Sequence, residues 1–343
     1  MTISDLRPRL VALLTAIVAC VGLLSLSSTP AWAAAGTITE FPLPTGIGGP
    51  IGITTGPDGN LWFTAGTAIG RITTSGSVTV FPVPTSLGRP QFIATGPDGN
   101  LWFTSLDGNA IGRITTGGSF TAFPIPTASS GPQGITAGPD GNLWFTERDG
   151  NKIGRITISG SFTEFPLPTT CASPTNSNGC QPQEITAGPD GKLWFTERAG
   201  NQIGRITTSG KITEFPLPTH SIISLPEGIT VGHDGNLWFA EFNVGIIGRI
   251  TPGGKITEFP VSNSGPFGIT AGPDHNLWFT LSFGNSIGRI TTDGSFNGLF
   301  TLPSTCQNFF GCEPFGITAG PAHTSDVWFV EFRGSKIGRI TTK

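Results

Sequence analysis

The chain has 343 residues, 12% of them charged, with a net charge of −3 and an isoelectric point near 5.8. That balance excludes the basic stripe a nucleic-acid binder needs, so no nucleic-acid partner is expected. The 50 glycines and 29 prolines would suit a disordered chain, but they recur in register at turn positions and punctuate short strands.

Residues 1–33 read as a secretory signal peptide. Arg7 and Arg9 supply the positive start, 10–26 the apolar stretch, and Ala31-Trp32-Ala33 the small residues of a cleavage site after Pro30. An uncleaved anchor is the second reading, since the apolar run falls just under the roughly 20 residues of a spanning helix. The third is lipidation at Cys20, because Ile17-Val18-Ala19-Cys20 resembles a lipobox, although the residues after it stay apolar. The expected product is a secreted, extracellular domain of residues 34–343, monomeric and free of the membrane after cleavage.

Residues 37–44 then present an I-T-E-F-P-type segment that belongs, by pattern, to the other end of the chain. Seven near-copies of one unit follow, with tryptophans at Trp62, Trp102, Trp144, Trp194, Trp238, Trp278 and Trp328. G-R-I triplets carry Arg71, Arg113, Arg155, Arg205, Arg249, Arg289 and Arg339. The last copy stops after its G-R-I-T-T, without the segment found at 37–44. A period of 40 to 50 residues with four short apolar runs is that of a propeller blade. The prediction is all-β: a seven-bladed β-propeller of four-stranded blades, closed by an N-terminal strand that completes the last blade.

Within the third unit the predicted strands are 134–137, 143–147, 152–157 and 162–166, with Pro139-Asp140-Gly141-Asn142 as a hairpin turn. The second run is apolar on both faces, as a strand sandwiched between neighbouring blades requires. Prolines in the fourth run fit an edge strand. The Pro-Asp-Gly and Thr-Thr-Ser-Gly turns share one face, here the lower. The loops after each W-F-T-E and the blade-to-blade connections share the upper face, which carries all the length variation and so the expected binding function. One Arg and one Trp per blade read as scaffold.

Beyond the leader, Cys171, Cys180, Cys306 and Cys312 lie as two tight pairs in two inter-repeat insertions. Four cysteines allow three connectivities, and local pairing, Cys171–Cys180 and Cys306–Cys312, is the simplest in an oxidising compartment.

The runs G-P-D-G-N-L-W-F-T-E, N-K-I-G-R-I-T and I-T-E-F-P-L-P-T resemble the virginiamycin B lyase family over residues 37–343. The resemblance implies a seven-bladed propeller and a magnesium-dependent elimination that linearises cyclic depsipeptides. It also implies histidines after the opening prolines of blades six and seven, one of them the general base. Here those places hold Phe267 and Phe315, which cannot accept a proton. Of the family's metal carboxylates, Glu313 stands before the blade-seven proline, and Glu331 lies near the other position, with Phe332 holding the nominal place. Magnesium is thus implied by resemblance alone. His233, His275 and His323 fall in lower-face turns; His220 falls in an upper-face loop.

The position after each opening proline reads Ile51, Gln91, Gln133, Gln183, Glu227, Phe267 and Phe315. This ring at the tunnel mouth has a polar and an aromatic arc, extended by Phe309 and Phe310. Phe267, Phe315, Gln133, Gln183 and Glu227 are the expected contacts for a small-molecule or peptide ligand. Glu147, Glu197, Glu241 and Glu331 read as rim or tunnel charges. The expected function is ligand or partner binding, with a metal-assisted lyase or hydrolase acting on another substrate as the alternative; activity on streptogramins themselves is not expected.

Overall fold

A computed structural model describes residues 35–168, 179–218, 222–261, 265–303, 306 and 311–343. The expected leader, Cys171, His220, Phe309 and Phe310 lie outside the described residues.

Seven antiparallel four-stranded sheets arise from the seven repeats. Blades one to six span 50–82, 90–124, 132–166, 182–216, 226–260 and 266–301. Blade seven joins 314–341 to the strand Ile38–Pro42. In blade three the strands are Pro132–Ala137, Leu143–Glu147, Lys152–Ile156 and Phe162–Pro166. The first begins two residues before the expected start, because the opening proline already pairs with Glu147. The first connection is a five-residue loop, 138–142, in which the Gly141 amide returns to the Gly138 carbonyl with φ at 74°. Glycine suits that left-handed backbone.

The core is a ring of seams between blades. The second strands of blades one to six are buried along their whole length, and that of blade seven is buried from Val327 to Glu331. Trp144 of blade three packs against Leu193 and Phe195 of blade four, and the pattern repeats around the ring until Trp328 meets Leu61 and Phe63 of blade one. Each fully buried phenylalanine contributes roughly 1.5–3 kcal/mol. The third strand carries glycine at its centre, because the phenylalanine ring of the second strand lies across it. A Cβ on Gly154 would stand 2.1 Å from the Phe145 ring.

On the lower face one cluster recurs. The Trp144 indole donates to Asp140 at 2.9 Å and stacks on Phe165 at 5.4 Å, while the Arg155 guanidinium lies 5.5 Å from the indole centre. Arg155 also donates to the Thr208 carbonyl in the next blade's Thr-Thr-Ser-Gly turn, 3.1 Å away. The arginine column is therefore an interblade tie, as its regularity implied. Arg289 differs, donating to Asn297 of its own blade at 3.0 Å. Its neighbour, blade seven, has no turn between third and fourth strands, because its fourth strand comes from the other end of the chain. Blade seven also lacks the turn aspartate, and the Trp328 indole N–H has no partner among the described residues.

The closing strand runs antiparallel to Lys336–Thr341, with Ile38 opposite Ile340 and Pro42 opposite Lys336. Glu40 accepts from Lys336 at 2.7 Å, and Phe41 stacks on Trp328 at 5.5 Å.

Candidate functional site

The first strand of every blade breaks register just after its opening proline, between Pro132 and Ile135 in blade three and at the matching place in the others. Such a bulge bends a strand and re-aims its side chains. It falls on the ring residues named from sequence and on the residue after each. A threonine from the second strand fixes it. Thr64 accepts from the Gly52 amide at 2.9 Å and donates to the Gln91 carbonyl of the next blade at 2.6 Å. Thr104, Thr146, Thr196 and Thr280 donate likewise to the next blade, but blades five and seven hold Ala240 and Val330 there.

The seven first strands surround a cavity of about 100 Å³. Its wall includes Phe92, Glu184, Phe267 and the glycines Gly52, Gly228, Gly268 and Gly316. Of the five expected ligand contacts, Phe267 lines this cavity directly, and Phe315 lies against it with ring centres 4.8 Å apart. Gln133, Gln183 and Glu227 occupy the ring as buried polar side chains, 4%, 9% and 2% exposed.

The aromatic arc is longer than the sequence reading had it. Phe283 meets Phe242 at 5.0 Å, Phe242 meets Phe267 at 6.2 Å, and Phe315 meets Phe332 at 5.4 Å. These five rings make a continuous, partly exposed aromatic band from blade five to blade seven. Opposite it the charges are tied. Arg198 donates to Glu227 at 2.6 Å, and Arg148 pairs with Asp149 at 3.0 Å.

Two acids here are held near neutral pH. Burial pushes Glu227 up to about 7 against the opposing charge and hydrogen bond of Arg198. Burial and then the Glu227 charge push Glu184 up to about 8. Glu184 retains some accessible surface, but that surface faces the cavity, so the carboxyl is enclosed all the same. Glu184 was missed from sequence, although a signal was present. The second position after the opening proline is glycine in five blades, and only Phe92 and Glu184 depart from it.

The second-strand glutamates are not rim or tunnel charges. Glu147, Glu197, Glu241 and Glu331 are all fully buried within their blades. Each faces a fourth-strand glutamate across the third-strand glycine: Glu164, Glu214, Glu258 and Glu40 in turn. Burial first, with the partner's charge adding to it, raises Glu147 to about 7 and the other three to about 8. Where one member is absent so is the other: Ala65 with Val80, Ser105 with Ala122, Leu281 with Leu299. The partner's charge disfavours a second negative charge beside it, and the fourth-strand glutamate is the one held by a lysine in two of the pairs, Glu164 by Lys152 and Glu40 by Lys336.

The two expected metal carboxylates sit in different surroundings. Glu313 is held by Arg333 at 2.8 Å on the upper face. Glu331 groups instead with Cys306 and Cys312, whose sulfurs are joined as a disulfide. Magnesium wants several convergent oxygens, and Glu313 and Glu331 do not fit that demand. The expected Cys306–Cys312 bridge is present, and Cys180 is also disulfide-bonded. His233, His275 and His323 are exposed on the lower face, where His233 and His275 contact each other with ring centres 4.6 Å apart.

A family model, Virginiamycin B lyase family, matches residues 30–177 and 172–343. Virginiamycin B lyase from Staphylococcus aureus is 40% identical, with a TM-score of 0.79 over 89% of this chain and 99% of that one. A catalytically inactive histidine-to-alanine variant of the S. aureus enzyme, solved with quinupristin, is 39% identical at the same TM-score, covering 89% of this chain and 99% of that one. At 15% identity, an extracellular domain assigned to a hybrid two-component system of B. thetaiotaomicron shares the fold, with a TM-score of 0.67 over 90% of this chain and 43% of that one. No curated protein sequence matches the chain.

Proposed function

The chain belongs to the virginiamycin B lyase family, and we propose that it is an exported member that binds a small or cyclic ligand on its upper face without the family's elimination chemistry. The aromatic band across blades five to seven carries this reading. Elimination needs a base over the acidic carbon and a positive group for the developing oxyanion. Phe267 and Phe315 stand where the resemblance places histidines, and a phenylalanine ring accepts no proton. In the S. aureus enzyme, exchanging one histidine for alanine leaves a catalytically inactive protein. Loss of a positioned base costs about 10²–10⁴-fold in rate. What the two rings offer instead is apolar surface beside a cavity, with Gln133, Gln183 and Glu227 across the opening. The disulfide Cys306–Cys312 supports export, since such bonds persist in oxidising compartments.

The test pairs two measurements on the protein lacking residues 1–33. Depsipeptide ring opening is followed with magnesium for the parent and for Phe267→His/Phe315→His. Thermal stabilisation by the intact depsipeptide is followed for the parent and for Phe267→Ala/Phe315→Ala. No turnover by the parent, with stabilisation lost in the alanine variant, is expected. Robust parental turnover overturns the non-catalytic reading, and stabilisation that survives both alanines overturns the site.

A further inference from the structure

We infer that the lower face carries a transition-metal site, in which His233 and His275 supply two imidazole nitrogens to one Cu²⁺ or Ni²⁺ ion. The site is independent of the upper-face reading.

The two histidines come from corresponding turns of neighbouring blades, 232–236 in blade five and 272–276 in blade six. Neither is the residue the repeat puts there. The second place of this turn is proline in the six other blades, and His233 takes it in blade five. The fourth place is glycine in five blades, and His275 takes it in blade six with φ at 64°. A side chain makes that left-handed backbone unfavourable, whereas glycine adopts it freely. The two departures stand side by side on a face that otherwise repeats, and their rings meet at 4.6 Å. Local rules broken at a cost to stability mark function.

His233 is already held as a ligand would be. Its Nε2 lies 3.0 Å from the Gly272 carbonyl, which only accepts, so Nε2 carries the hydrogen. Nδ1 of the neutral ring then keeps its lone pair and is the atom left for an ion. Backbone carbonyls orient metal-ligating histidines in this way. The same carbonyl accepts from the His275 amide at 3.1 Å, so one oxygen anchors both residues.

The spacing selects the ion. The ring planes cross at 67° instead of stacking. With metal–nitrogen bonds of about 2.0 Å and each ring centre about 1.1 Å behind its nitrogen, centres 4.6 Å apart correspond to an N–metal–N angle of about 95°. That angle belongs to adjacent ligands of a square-planar or octahedral ion, hence Cu²⁺ or Ni²⁺ and not tetrahedral Zn²⁺. The turn aspartates are committed elsewhere. Asp234 and Asp274 each give one oxygen to an indole and the other to an asparagine. Arg249 and Arg289 face them at 4.0 and 3.7 Å. Both histidines are exposed, so water completes the ion's shell.

The experiment titrates the untagged protein lacking residues 1–33 with Cu²⁺ and with Ni²⁺, by calorimetry in a glycine buffer. One ion per chain is expected, with Cu²⁺ the tighter. The EPR spectrum of the copper form should show two imidazole nitrogens bound in one plane. His233→Pro and His275→Gly install the repeat's own residues, so the turns keep their fold. Each should weaken binding at least about tenfold. His323→Ala, in the matching turn of blade seven, should change nothing. Binding that survives both replacements, or a spectrum without two imidazole nitrogens, overturns the site. An equal loss of affinity in His323→Ala overturns its assignment to this pair.

Discussion

The lower face repeats one arrangement in six blades, and the upper-face ring passes through four residue types in seven. Below, six blades repeat the indole–aspartate bond at 2.9–3.1 Å and place an arginine over the same tryptophan. Above, the ring after the opening prolines runs from isoleucine through amides and a carboxyl to two phenylalanines. Both faces hang on the same strands, so strand geometry alone cannot account for the contrast. The indole, its aspartate and the arginine do the same job in six blades and stay the same, whereas the ring side chains face the tunnel mouth and change. The two phenylalanines, Glu184 and the arginine-bound Glu227 belong to the second group.

The comparison breaks most severely at the closing strand, which belongs to the repetitive half. Deleting residues 34–45 removes the fourth strand of blade seven and the Phe41 ring from Trp328. The shortened chain should melt far below the parent or fail to fold, and an unchanged Tm would sink the closure argument. Next in size is a matched pair. Trp194→Ala empties an interblade seam and should cost roughly 3–5 kcal/mol in urea unfolding. Phe242→Ala, in the half-exposed band, should cost much less, about 1 kcal/mol. Equal losses would erase the distinction between scaffold and site.

The buried second-strand glutamates predict the pH dependence. Glu197, Glu241 and Glu331 are raised to about 8 and Glu147 to about 7, above the ordinary 4.5. Below pH 4.5 both folded and unfolded chains hold these protons, and no difference arises. Between pH 4.5 and 8 the unfolded chain releases them while the folded chain keeps them, so stability falls as pH rises. The lower-face aspartates act oppositely. Burial pushes Asp58, Asp98 and Asp140 up, but bonds from tryptophan and asparagine together hold them below their ordinary value. Their contribution is lost only as pH falls below the usual carboxylate range. Thermal melts should therefore peak near pH 5 and decline by pH 9, and Glu197→Gln/Glu241→Gln should flatten the decline. A rise in Tm from pH 5 to 9 contradicts the buried pairs. The smallest effect is expected from Arg113→Ala, which removes one interblade tie at 3.3 Å and one indole contact, for about 1 kcal/mol.

Blade number, strand order and ring closure were legible because each repeat restates them. The ring residues were legible too, since the proline before each marks where the strand opens. The placement of Glu147, Glu197, Glu241 and Glu331 was not. A strand buried on both faces has no polar side to orient its last residue, and the bulge that turns the first strand toward the tunnel leaves no mark in composition. The fourth-strand partners offered a clue, because Glu164, Glu214, Glu258 and Glu40 are present only in blades whose second strand ends in glutamate. Glu184 showed as a broken glycine column, a signal visible only when the columns are read one at a time.

The strand that finishes the ring is made first and used last, since Glu40 and its partner Lys336 are 296 residues apart. Its sequence, I-T-E-F-P, is letter for letter that of Ile212–Pro216 and Ile256–Pro260. Chemistry cannot tell these three strands apart. The two internal ones are tethered by short turns and claim their places at little loop-closure cost, while the N-terminal one must span the whole chain. Until blade seven emerges it is a free copy of a part that two other blades already contain. A second molecule's open seventh blade is as good a partner for it as its own, so crowded refolding should yield strand-exchanged dimers and dilute refolding closed rings.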